Sequence, residues 1–100
     1  MAKLYIQYQQ PKDKAGFDEY YLNTHMPLAK YVPNIKASSI DRVIQSQNTT
    51  LNLYMIVVIE FADLPTLQSA MATPEWKAVM EDAKNLEKFL NEPPIIMITQ

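Results

Sequence analysis

Between Leu51 and Phe61 the chain is apolar on both sides of what reads as one extended strand. Side chains alternate across a strand, so Leu51, Leu53, Met55, Val57, Ile59 and Phe61 supply one face, and Tyr54, Ile56 and Val58 the other. Burying a large apolar side chain is worth about 1.5–3 kcal/mol, so the three on the second face represent roughly 5–9 kcal/mol. The whole stability of a small domain is only about 5–15 kcal/mol. A chain carrying this strand has to cover both of its faces.

Length limits how that is done. One hundred residues, 48% of them apolar and 20% charged, fit a single globular domain spanning 1–100, with no room for a second core. Lys3 to Gln9 predicts a strand that Pro11 ends, since proline has no donor for a ladder. Asp13 is placed to cap a helix whose inner face carries Phe17, Tyr20, Tyr21, Thr24, Leu28 and Tyr31. Pro27 has to bend or break that helix, because it cannot donate to the carbonyl of Asn23. After the Pro33-Asn34 turn, Ile35 to Ser46 reads as a long strand with a bulge at Val43-Ile44, and Asn48-Thr49-Thr50 as a turn.

Asp63-Leu64-Pro65 opens a short helix to about Ala72, and Thr73-Pro74-Glu75 starts another with Thr73 as its cap. Trp76, Val79, Met80, Ala83, Leu86 and Leu90, with Phe89, form the buried stripe of this second helix. Pro93-Pro94 stops it, and Ile95 to Thr99 is a final strand at a sheet edge. The order β-α-β-β-α-β is the ferredoxin-like arrangement, an α+β fold with the helices on one face of an antiparallel sheet. The face bearing Tyr54, Ile56 and Val58, joined by Ile96 and Ile98, is then bare. A second copy packed sheet on sheet is the simplest cover. A monomer whose twisted sheet hides these side chains is the alternative.

Composition removes several function classes. The net charge is −2 and no basic run or arginine cluster occurs, which argues against nucleic acid and acidic membranes as partners. The longest apolar run, Leu53 to Ile59, is too short to cross a bilayer. The opening residues alternate polar and apolar and do not read as an export signal, so the cytoplasm is the expected location. The absence of cysteine removes thiol nucleophiles, disulfides and thiolate metal sites, and a single histidine removes a histidine-rich zinc site. No paired carboxylates, serine triad or phosphate-binding loop emerges. Arg42 and Glu60 are strand residues that could pair across the sheet.

The first helix carries the most specific pattern. The spacing F-x-x-Y-Y-x-x-x-H-x-P-L, from Phe17 to Leu28, resembles the signature of the EthD family within the dimeric α+β barrel superfamily. The run Tyr-Tyr-Leu-Asn-Thr-His-Met-Pro-Leu resembles its short members, often labelled reductases, although no Gly-x-Gly-x-x-Gly supports a nicotinamide or flavin here. Asn34 stands where the family commonly has glycine, and asparagine tolerates the left-handed conformation.

The resemblance implies a homodimer, joined through the sheet faces, whose two sheets close into a barrel, with a pocket between sheet and helices beside His25. It implies a cofactor-independent enzyme, with no metal, acting on small hydrophobic metabolites of aromatic, lactone or polyketide type. His25 would be the general acid/base, since an imidazole exchanges protons near neutrality. Tyr21 would orient the substrate or donate a hydrogen bond, and Phe17, Tyr8 and Tyr54 are the substrate-binding candidates. Against these stand plainer roles. His25 could anchor the backbone at the proline kink, Phe17 and Tyr20 could simply pack, and Tyr54 and Tyr5 could line a dimer interface. The resemblance also admits a non-catalytic small-molecule-binding accessory to a degradative oxygenase system, and haem or metal binding with His25 as the one obvious ligand.

Overall fold

The computed structural model describes residues 1–100. Its strands β1 (Ala2–Gln9), β2 (Ala37–Arg42), β3 (Leu53–Phe61) and β4 (Ile95–Thr99) form one antiparallel sheet in the order β2-β3-β1-β4. The helices α1 (Lys14–Tyr20), α2 (Met26–Ala29), α3 (Leu64–Met71) and α4 (Pro74–Ala83) lie on one side of it. A π-helical turn, Tyr21–His25, joins α1 to α2, and a 3-10 segment, Lys84–Phe89, extends α4.

Three of the helix starts are set by capping side chains that accept an orphan N–H of the first turn. Asp13 takes the N–H of Gly16, Asp63 that of Thr66, and Thr73 that of Trp76. Pro65 and Pro74 sit in first turns, where a missing donor does no harm. Asn34 adopts φ 65° and Asn48 φ 60°, the left-handed turns for which asparagine is suited.

Leu4, Tyr8, Met55, Val57, Ile59 and Phe61 of the two central strands are buried under the helices. Phe17, Leu67, Val79 and Leu86 meet them from above. This is the core.

Several expectations need correction. The sheet is open and does not close into a barrel: β2 pairs only with β3 and β4 only with β1, so both outer edges are free. Closure would require those edges to pair. The second strand is shorter than the Ile35–Ser46 expected, because its ladder with β3 runs only from Ala37 to Arg42. The register irregularity falls on the β1–β3 ladder, where Tyr8 faces Met55 but Gln9 faces Leu53.

That slip leaves Tyr54 as the extra residue of a bulge. Strict alternation puts Tyr54 on the open face, yet its ring packs edge-on to Phe17 of α1 at 6.1 Å. The assignment of Ile96 and Ile98 also reverses. They pair with Ile6 and Leu4 and so share the helix side, at the free edge. The open face instead holds Tyr5, Ile56, Val58, Ile95 and Met97, the first four half-buried and Met97 40% exposed. The Lys3–Glu60 ion pair, 3.4 Å, borders it. Arg42 does not pair with Glu60 and turns to Asp18 of α1, 3.1 Å away.

Candidate active site

The site is assembled by α1 and the π turn. Phe17 and Tyr21, one helical turn apart, stack at 5.6 Å with 22° between ring planes, and Tyr8 of β1 meets both edge-on at 5.1 and 5.7 Å. At the π turn the N–H of Met26 reaches back to the carbonyl of Tyr21. The helix takes in one residue more per hydrogen-bonded ring just before Pro27, where an α-helical bond would be missing. Tyr21 and His25 thereby share the inward side, their ring centroids 5.3 Å apart.

His25 is 6% exposed. Its Nδ1 lies 2.9 Å from Oδ2 of Asp82 on α4, and it is not spent on a backbone carbonyl at the kink. The Tyr20 hydroxyl donates to the other oxygen of Asp82 at 2.6 Å, and the Asn85 amide donates to the same oxygen at 3.2 Å. Burial pushes the Asp82 carboxyl up, but the bonds from Tyr20, His25 and Asn85 outweigh it and hold that carboxyl below its ordinary range. The same Tyr20–Asp82 bond is the main reason the Tyr20 phenol is raised.

A carboxylate only accepts, so Nδ1 carries the ring proton, and in the neutral imidazole Nε2 keeps its lone pair. Nε2 has no protein partner and is not among the fully enclosed unpaired atoms, so it reaches accessible space.

His25 lines a cavity of about 510 Å³ between sheet and helices, a size suited to a small organic molecule. Leu4, Ile6, Val57 and Ile59 form its sheet wall, and Met26, Trp76 and Val79 its helix wall. His25, Tyr8 and Tyr21 are the buried polar groups on it. Burial pushes the Tyr21 phenol up to about 12, and burial first, then the neighbouring Tyr21, raises Tyr8 further. Both phenols are therefore protonated donors at neutral pH.

Of the residues singled out from the sequence, His25, Tyr21 and Tyr8 meet at this cavity and Phe17 and Tyr54 do not. Phe17 is wholly enclosed, packed on Tyr8 and Tyr21. The Tyr54 hydroxyl is tied to Asp18 at 2.8 Å and to Arg42 at 2.8 Å. Asp82 and the hydrogen-bonding role of Tyr20 were missed. A signal existed: Asp82 falls three residues after Val79 and four before Leu86, on the buried stripe of α4. An acid on that stripe needs a partner. For a metal, His25 and Asp82 bring two donors, short of the three protein ligands of an ordinary catalytic zinc site.

Comparison with known proteins is consistent with this architecture. Residues 9–89 match the EthD domain. An EthD-family protein of Bacillus halodurans has 36% identity, with all of this chain and 97% of that one covered, at a TM-score of 0.86. An uncharacterised 11.0 kDa protein from the thcB–thcC intergenic region of Rhodococcus erythropolis is 27% identical over 85% of this chain and 82% of its own. More distant structures share the fold alone. SnoaB, a cofactor-independent oxygenase of Streptomyces nogalater, has 12% identity and a TM-score of 0.67, covering 99% of this chain and 90% of its own. A dimeric ferredoxin-like protein of unknown function from Jannaschia has 8% identity and a TM-score of 0.68, covering 100% and 99%.

Proposed function

This chain belongs to the EthD family, and from that premise we propose that it is a cofactor-independent enzyme that moves a proton on a small hydrophobic metabolite of aromatic, lactone or polyketide type. The observation that carries the proposal is a buried histidine on an apolar cavity, with Nδ1 fixed by Asp82 and Nε2 free. Nε2 takes a proton from a carbon or hydroxyl next to a carbonyl. The imidazolium that forms is stabilised by Asp82, and the same proton is delivered to a second atom of the substrate, so the net change is an isomerisation or ring closure.

Tyr21, and Tyr8 beside it, donate hydrogen bonds to the oxygen on which negative charge builds, in a largely apolar cavity. SnoaB, of the same fold, is described as cofactor-independent, which supports such chemistry without an added group. The working unit in this proposal is a homodimer in the cytoplasm, its sheet faces covering Tyr5, Ile56, Val58 and Met97. The dimeric relative from Jannaschia supports that assembly.

The test is deuterium wash-in from heavy water into enolisable aromatic and lactone compounds, followed by NMR. The wild type exchanges its substrate, and His25→Asn lowers the rate by about 10²–10⁴-fold, the usual worth of a general base. Equal rates in the two proteins would overturn the role of His25. One observation favours a second reading, binding without turnover: the Tyr20–Asp82–His25 network also ties α4 to the segment between α1 and α2. In that case compounds raise the melting temperature and none is exchanged.

A further inference from the structure

Charge on the cavity wall is distributed unevenly. No aspartate, glutamate or arginine lines it, and apart from His25 its one ionisable nitrogen is Lys30, the exposed residue that ends α2. The lysines that do form ion pairs are Lys3 and Lys84, whereas Lys30 pairs with no carboxylate. Asn34 and Ser38, also exposed, line the same cavity as uncharged hydrogen-bonding groups. An adjoining hollow that shares Tyr8, Met80, Ala83 and Pro94 is bordered by Glu87 and Glu92 as well as Lys84. The net charge of the chain is −2, so an anion gains no general attraction from the protein and has Lys30 as its one local partner here.

Resting on the cavity function proposed above, we infer that the ligand is a monoanionic carboxylate with an aromatic or similarly apolar body, and that Lys30 selects it. Lys30 and His25, five residues apart in the chain, both line this cavity. An apolar body of one or two rings suits a cavity of about 510 Å³, with its carboxylate beside Lys30. A phosphate ester fits less well, because this wall offers one flexible ammonium and no arginine fork to match a second negative charge.

Three probes of equal body separate the possibilities: 2-naphthoate, its methyl ester and 2-naphthyl phosphate. Binding to the full-length protein is followed by calorimetry and by quenching of Trp76, the only tryptophan, which lines the cavity. The wild type is expected to hold naphthoate about fivefold more tightly than the ester, the worth of one partly exposed ion pair, and the phosphate no more tightly than naphthoate. Lys30→Met abolishes the preference and leaves the ester's affinity unchanged, whereas Lys30→Arg keeps it. Equal binding of acid and ester, or a preference that survives in Lys30→Met, overturns the inference while leaving the cavity and His25 standing. A phosphate held tenfold more tightly than naphthoate overturns the monoanion. Failure of all three to quench Trp76 removes the cavity as a ligand site, and the proposed function with it.

Discussion

Two tyrosine–aspartate clusters flank the same helical segment, and they differ in what surrounds them. In the first, Tyr20 and His25 converge on Asp82, whose side chain is 12% exposed. In the second, Tyr54 and Arg42 converge on Asp18 at a surface where water reaches all three residues. The bond lengths are alike, from 2.6 to 3.1 Å. The energetics differ, because a polar group cut off from water has no substitute partner. The histidine cluster also borders the cavity, and the arginine cluster does not. Residue type alone would rank them equal. Burial separates them.

Removing the two carboxylates in parallel breaks the comparison most sharply. Asp82→Ala leaves His25 Nδ1 without its acceptor and is expected to cost about 2–4 kcal/mol in urea unfolding, whereas Asp18→Ala costs under about 1 kcal/mol. Equal losses would mean that enclosure makes no difference. Next in size, Tyr20→Phe is expected to lower the melting temperature by less than Asp82→Ala but by more than Tyr54→Phe, since Tyr54 leaves Arg42 and Asp18 still able to pair.

The smallest effect is a pH dependence. The Asp82 carboxyl is held below its ordinary 3.8 in the folded state. An acid depressed on folding contributes stability that is full above the unfolded value and is lost as pH falls through the folded one. The melting-temperature gap between wild type and Asp82→Asn should therefore shrink as pH falls below about 4. Asp63, lowered by its bonds to Thr66, titrates in the same window. It is present in both proteins and cancels from the difference.

Much of the architecture was readable because it depends on local chemistry. The caps at Asp13 and Thr73, the helix opening at Asp63-Leu64-Pro65, the stop at Pro93-Pro94 and the order of elements follow from residues acting on their immediate neighbours. What escaped depends on pairing between distant segments. The face taken by Ile96 and Ile98 is decided by their register against β1, which alternation within Ile95–Thr99 leaves open. Tyr54 swings toward α1 because the ladder slips at Gln9. His25 could be singled out from its helix pattern. Asp82, although its place on the buried stripe marks it as an acid in need of a partner, carries no local sign of which residue that partner is. Its role became visible only when α4 was brought against the π turn.

The π turn at Tyr21–His25 has an implication for how this segment tolerates change in chain length. It behaves as a one-residue insertion in an otherwise ordinary helix, so excising Asn23 would let the backbone close into unbroken α-helical rings and remain helical. Each residue advances an α-helix by roughly 100°. The imidazole would then be carried about a quarter-turn around the axis, out of reach of Asp82. A deletion that leaves the helix intact would thus remove its reactive group as surely as replacing the histidine.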